Sequence, residues 1–424
     1  MVDSDWLVSL RREFHRRPEP AWREFWTTSR VVEELRRLDV DELYVGPETL
    51  AADDRMAVPD DAELDTWFEQ AREEGADEEI LDQLRGGNTG AIAVIDKGAG
   101  PTVGLRVDID GLPIRESDED SHHPTANGFR SEHEGYMHSC GHDGHATLGL
   151  GVVKAVQESD FAGTLKVFFQ PAEEVVGGGK AMANSGHLDD VDYLFAVHLG
   201  LDHPTGEIVA GIDDFLAVKH LDVTFTGAPA HAGAKPEEGK NAVQALATAV
   251  QNLYGIARHS DGATRVNAGK LHAGTAANIV PEHAFMECEV RGEVTHLKDY
   301  MDERATSVLE SAAAMHDCEV EVEVGGEAPS ATSDQELVDL VGDIANENVD
   351  VDSLVERDAL GGSEDATYLM EAVQQKGGLA SYICVGTDHP GGHHTSTFDV
   401  DEHSLPLGVD VLASAIERVA AERP

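Results

Sequence analysis

The chain has 424 residues, 41% of them apolar, which suffices for packed cores and exceeds what one ordinary core holds. Thirty-one Lys and Arg face 81 Asp and Glu, giving a net charge of −50. That balance excludes nucleic acid and anionic membranes as partners, because both require a basic face.

The acids are spread along the whole chain rather than gathered in a tail, and only ten of the basic residues are Lys. A surface adapted to high salt is the expectation, since molar salt cuts the screening length to roughly 3 Å and so relieves self-repulsion. Cys140, Cys288, Cys318 and Cys384 are scattered without a C-x-x-C pair, which favours a reducing cytosol over a disulfide framework. The stretch from Met1 to Arg17 is charged, with neither a signal peptide nor an apolar span. A soluble cytoplasmic protein is expected.

In chain order, Trp6, Leu7, Leu10 and Phe14, then Val31, Val32, Leu35 and Leu38, recur at helical spacing and predict a helix pair over about 6–38. Residues 46–88 read as an acidic, helix-prone insertion closed by Gly86 and Gly87. Strands are predicted over 91–95, 102–109, 165–170 and 194–198, with a helix over 146–157. Strands separated by helices argue a mostly parallel sheet whose site lies at the carboxyl ends. From residue 214 the order becomes strand, helix, strand, strand, helix, strand, as in a small α+β lid. Helices over 334–347 and 403–417 return the chain to the first domain. The expected organisation is a catalytic α/β domain from 1–213 and 327–424, interrupted by a lid over 214–326.

The densest group of metal-binding side chains is Met137-His138-Ser139-Cys140-Gly141-His142-Asp143-Gly144-His145. Thiolate and imidazole together suit zinc and neighbouring transition metals, and the glycines let the backbone turn tightly. Glu173 and Glu174 follow an apolar strand, so two carboxylates emerge at the sheet edge. One can ligate metal while the other moves a proton. Asp108-Ile109-Asp110, His198 and His393-His394 also end strands or occupy a Gly-rich loop. Each alone suits an ordinary hydrogen-bonded residue. Together they bring ligand-type groups to one edge of one sheet.

These residues resemble the M20 metallopeptidases, and within them the amidohydrolase branch of aminoacylase-like, indole-acetyl-amino-acid and aminobenzoyl-glutamate hydrolases. The resemblance rests on G-L-R-V-D-I-D-G-L-P, M-H-S-C-G-H-D-G-H, F-F-Q-P-A-E-E, the H-L-G at His198, H-A-G-A-K-P-E-E-G-K-N-A, G-T-A-A-N-I-V-P, G-S-E-D-A-T-Y-L and H-H-T-S-T-F-D-V-D-E. It implies a zinc-exopeptidase-like catalytic domain with an inserted ferredoxin-like dimerisation lid. It also implies two divalent ions, zinc or manganese, with Cys140 bridging them and His142, Glu174, His198 and His394 as the other ligands. Glu173 is then the general base, and His231 reaches a partner's site across a homodimer. Asn278 and Arg291 are candidates for the substrate carboxylate. The wider family carries H-x-D where this chain has Asp108-Ile109-Asp110. Asp110 is expected to orient a ligand, and the role of Asp108 stays open.

Residues 46–88 and G-S-E-D-A-T-Y-L resemble the aminobenzoyl-glutamate subgroup, which implies an N-acyl or N-aroyl amino acid substrate. A broad N-acyl-amino-acid deacylase or dipeptidase is the nearest alternative. A Cys140 nucleophile, and a metal-binding or acyl-amino-acid-binding protein without catalysis, are alternatives of other classes.

Overall fold

The computed structural model describes residues 2–423. Its strands in chain order are β1 (Glu42–Val45), β2 (Ala91–Asp96), β3 (Thr102–Asp108), β4 (Thr164–Gln170), β5 (Tyr193–Leu199) and β6 (Glu207–Asp213). They continue as β7 (Ala217–Thr226), β8 (Thr264–Ala273), β9 (His283–Gly292), β10 (Glu319–Ala328), β11 (Ser353–Ala359) and β12 (Leu379–Val385). The chain forms two compact units. One comprises Met1–Asp213, Ala331–Leu360 and Asp365–Pro424, with Met1 and Pro424 outside the described residues; the other comprises Asp214–Ser330 and Gly361–Glu364.

The larger unit is built on an eight-stranded sheet in the order β1-β2-β4-β3-β5-β12-β6-β11. Its centre, β4-β3-β5-β12, is parallel, while β1, β2 and the β12–β6 pair run antiparallel. The central strands are apolar along both faces because helices cover both, the usual condition of a parallel sheet. Register places Asp108 beside Gln170 and His198 beside Cys384, so four strands end at one edge. Helix His142–Glu158 packs against Ser4–His15 and Ser404–Glu422.

The helix begins at His142, earlier than the apolar periodicity from 146 indicated, because Gly141 at φ 89° supplies the left-handed turn before it. Strands β1, β6, β11 and β12 were not among the sequence expectations. β1 has only four residues, and β11 (SLVERDA) is a half-exposed edge with no clean alternation. Residues 46–88 fold into helices Asp61–Glu73 and Glu78–Leu84, capped by Asp60 and Asp77. Leu64, Trp67 and Phe68, with Ile80, Leu81 and Leu84, are buried, and both helices pack on Phe25–Arg37.

The smaller unit is a four-stranded antiparallel sheet in the order β10-β7-β9-β8, with helices Ala242–Leu253 and Thr295–Met315. Burial alternates residue by residue along β9, the mark of a sheet with one covered face. Leu221, Phe225, Leu246, Met286, Val290 and Leu309 share its core. This strand order is that of a ferredoxin-like fold. No described helix is long and apolar enough to cross a membrane.

Candidate metal centre

The turn after β4 is held from behind by carboxylates. Ala172 takes a left-handed conformation at φ 57°, and its N–H donates to the buried Glu24 at 2.9 Å. The next two amides donate to Asp110, Glu173 N–H at 3.2 Å and Glu174 N–H at 3.1 Å. Asp110 Oδ1 also lies 3.2 Å from His142 Nδ1. One carboxylate therefore sets the turn that carries both glutamates and one imidazole.

Cys140 is common to two groups of donor atoms that lie within 4.8 Å of one another. One group is Cys140, His198 and His393; the other is Cys140, Glu174 and His394. A third, His142 with Glu173 and Glu174, adjoins the second through Glu174. Cys140 Sγ is 3.5 Å from His198 Nε2, and His394 Nε2 is 3.4 Å from Glu174 Oε2. Two donors bound tetrahedrally to one zinc-sized ion are roughly 3.4–3.6 Å apart, so these spacings suit a shared cation.

The hydrogen-bond partners of each ring decide which nitrogen keeps a lone pair. His198 Nδ1 donates to Leu199 O at 2.7 Å, which leaves Nε2 facing Cys140 as an acceptor. Burial, followed by His145 and His393, pushes the His198 ring well below the usual histidine range, so it is neutral. His142 Nδ1 donates to Asp110, and its Nε2 is buried without a hydrogen-bond partner. Burial opposes charge on this ring, but Asp108, Asp110 and Glu174 overcome it and raise the group to about 10. A position that draws a proton so strongly suits a divalent cation. The donor set and this orphaned nitrogen fit a metal centre.

His145 lies one turn beyond His142 and is different. Its Nε2 accepts from Leu199 N–H at 2.8 Å, and its Nδ1 donates to Asp108 Oδ1 at 2.5 Å. No lone pair remains for a metal, although Asp108, His142 and His145 lie close enough to form a donor group. Asp108 is also committed, since its Oδ2 receives Arg106 Nη1 at 2.7 Å. The carboxylate that the sequence left open is thus a buried partner of Arg106 and His145. His145 stacks on His142 with ring centres 5.2 Å apart and meets His198 edge-on at 4.6 Å. Its role was legible only as an i,i+3 neighbour of His142.

The remaining acid and imidazole of the Cys140 run point elsewhere. Asp143 Oδ2 binds Arg11 Nε at 2.7 Å and His15 Nδ1 at 2.8 Å, inside a network that includes Glu116 and Asp399. His138 is buried outside the donor groups, and burial lowers it to about 3.

His231, Asn278 and Arg291 belong to the smaller unit. His231 is exposed, and its Nδ1 accepts from Gly233 and Ala234 N–H, both at 3.1 Å. It bridges to Ile279, and Asn278 O accepts from Ala232 N–H at 3.0 Å, so His231 and Asn278 share one end of this unit. Arg291 sits at the far end of β9, paired with Val218 and Arg265. Its guanidinium donates to Glu289 at 3.1 and 2.9 Å.

Residues 104–418 match the model of Peptidase family M20/M25/M40. Over 411 residues the chain is 43% identical to the indole-3-acetyl-aspartic acid hydrolase of Enterobacter agglomerans, covering 96% of this chain and 94% of that protein. It is 42% identical, over the same shares, to a p-aminobenzoyl-glutamate hydrolase subunit of Escherichia coli (strain K12). The crystal structure of an aminobenzoyl-glutamate utilization protein from Klebsiella pneumoniae superposes with a TM-score of 0.85 at 36% identity, covering 99% of this chain and 97% of that one. With its carboxylate, imidazole and thiolate donors gathered at the sheet edge, the chain belongs to peptidase family M20/M25/M40 and is a metal-dependent amidohydrolase.

Proposed function

We propose that the protein hydrolyses the amide bond between an acyl or aroyl group and the nitrogen of an amino acid that keeps its free carboxylate. p-Aminobenzoyl-glutamate is the first substrate to test, and indole-3-acetyl-aspartate the second. The observation that carries the reading is the arrangement of the two glutamates at the β4 turn. Glu174 belongs to the Cys140–His394 donor group, whereas Glu173 adjoins His142 and Glu174 and, among the described residues, shares no donor group with the thiolate. A carboxylate beside a cation site but outside the thiolate's ligand group suits proton transfer.

When bound, divalent ions lower the pKa of water and polarise a carbonyl oxygen. Cys140, His142, Glu174, His198 and His394 would hold them, with zinc favoured by the thiolate and manganese the alternative. Glu173 takes the proton of the attacking water on its carboxylate and returns it to the departing amine. Asp110 keeps the Glu173 amide and the His142 ring in register with each other. Asn278 and Arg291 bind the substrate carboxylate, for which Arg291 must exchange its fork with Glu289.

The same residues support a homodimer. Ala284 to Arg291 spans seven residue steps of β9, roughly 23 Å at the ordinary strand rise. His231 and Asn278 lie near one end and Arg291 near the other, so one substrate uses all three only if two chains contribute. The partner subunit's His231 would then face the developing oxyanion. The acidic surface is read as an adaptation to high salt, and four cysteines without a disulfide support a cytoplasmic setting.

The test is a substrate panel on metal-loaded protein in molar salt. Release of p-aminobenzoate from p-aminobenzoyl-glutamate, faster than deacylation of simple N-acetyl amino acids, is expected. Turnover of only the acetyl compounds would replace this reading with a general deacylase. Activity that survives chelation would replace it with a Cys140 nucleophile.

A further inference from the structure

Two adjacent histidines, His393 and His394, enter the centre from one loop, and both lie near ligand atoms. Proximity alone makes both of them ligands. Hydrogen-bond partners separate them.

The His393 ring has one nitrogen already engaged. Leu201 N–H donates to His393 Nε2 at 3.0 Å. The approach is built into the backbone after β5, where Gly200, Leu201 and Asp202 take φ values of 89°, 49° and 65°. A Cβ at Gly200 would stand 2.8 Å from His393 Nε2, so the missing side chain at that position lets the ring reach the amide. Phe398 and His389 pack on the ring at 4.7 and 4.8 Å and hold its plane. An Nε2 that accepts cannot carry the proton of a neutral imidazole, so Nδ1 carries it. Nδ1 lies 3.7 Å from Cys140 Sγ, within reach of an N–H···S hydrogen bond. The opposite tautomer would set Nε2–H against Leu201 N–H and bury both donors unsatisfied.

His198 shows the reverse arrangement on the same sulfur. Its Nδ1–H is spent on Leu199 O, and its Nε2 presents a lone pair 3.5 Å from Cys140 Sγ. His394 donates its backbone N–H to Ser139 O at 2.8 Å and turns Nε2 towards Glu174. We infer that His393 is no metal ligand but a positioning residue that donates Nδ1–H to the Cys140 thiolate, leaving His198 and His394 to ligate on either side of it.

The inference rests on the metal-centre reading above. A thiolate that would serve both donor groups concentrates negative charge on one atom, and a donor aimed at that atom would disperse the charge and fix its remaining lone pairs. The structure thus assigns the two histidines of one dipeptide to different tasks, one on sulfur and one on metal.

Cobalt(II) added to metal-free protein is the probe, because it reports coordination through its d–d bands and the thiolate through a sulfur-to-metal charge-transfer band. His393→Phe keeps the ring packing and removes the donor. It is expected to bind as many equivalents as the wild type, with unchanged d–d bands. The charge-transfer band should move to longer wavelength, and affinity should fall about tenfold. His393→Asn, whose amide can offer an N–H towards the same sulfur, should restore the band. His393→Leu serves as the second apolar replacement where the larger ring is not accommodated. Loss of one equivalent with altered d–d bands would make His393 a ligand and overturn the inference. A charge-transfer band that stays in place, or that Asn fails to restore, also overturns it. A wild-type protein without any sulfur-to-cobalt band would instead remove the metal-centre reading itself.

Discussion

Asp110 and His142 are joined at 3.2 Å through Oδ1 and Nδ1, and the same carboxylate receives the amides of Glu173 and Glu174. One buried side chain therefore couples an imidazole on the helix His142–Glu158 to the turn after β4. Asp110→Ala is expected to weaken metal binding by about 10–100-fold and to lower kcat by a similar factor, because both partners lose their orientation. Asp110→Asn should fall between the two, since its amide can face only one of the two glutamate N–H groups as an acceptor. Metal content after dialysis, measured with kcat at saturating metal, separates these effects.

Glu173 carries the proton-transfer assignment and can be tested apart from the ligands. Glu173→Gln should reduce kcat by about 10²–10⁴-fold while metal content stays at the wild-type level. Glu174→Gln should lose metal as well as activity. Equal metal loss in both variants would mean that the two carboxylates share ligation.

The dimer reading gives a complementation test. Glu173→Ala and His231→Ala should each be inactive as homodimers. After exchange of protomers, mixed dimers contain one site with both native residues, and activity should reappear. No recovery after verified exchange would place Glu173 and His231 in separate tasks or in one chain.

Electrostatics make a prediction about pH. His15 is buried between Glu116 and Asp143, with Nε2 and Nδ1 at 2.9 and 2.8 Å from them. Burial and Arg11 disfavour its charge, but the two carboxylates prevail and raise it from 6.5 to about 9. Its charged form therefore stabilises the folded state fully below the unfolded value of 6.5, and this contribution is lost as pH rises through about 9. Melting temperature should fall over that window in the wild type, and His15→Gln should flatten the fall. Arg11→Ala, which strips Asp143 and Asp399 of their shared cation, should cost about 3–5 kcal/mol in denaturant unfolding.

A net charge of −50 sets the response to salt. Activity and melting temperature should both rise from dilute buffer to molar KCl as surface repulsion is screened. A melting temperature independent of salt would show that the acids are balanced locally rather than by the solvent.

Composition, spacing and periodicity by themselves determined that the chain is acidic and α/β, with a second, smaller α+β sheet within it. They singled out the Met137–His145 run, Glu173-Glu174, His198 and His393-His394 because thiol, imidazole and paired carboxylate are rare neighbours with a recognisable chemistry, while the resemblance to the M20 family implied Cys140, His142, Glu174, His198 and His394 as ligands and Glu173 as the base. Short or edge strands such as β1 and β11 stayed illegible, since pairing partners distant in the chain stabilise them rather than local pattern. Only the tertiary structure decided which nitrogen of each histidine keeps a lone pair. His142 and His198 hold one towards the centre, whereas His145 and His393 spend theirs on the amides of Leu199 and Leu201. It also committed Asp108 to Arg106 and His145, turned Asp143 towards Arg11, and put Asn278 and Arg291 near opposite ends of β9. The physical reason is common to all of these. A residue's type states what it can donate or accept, and only its neighbours in space determine what it has left to offer.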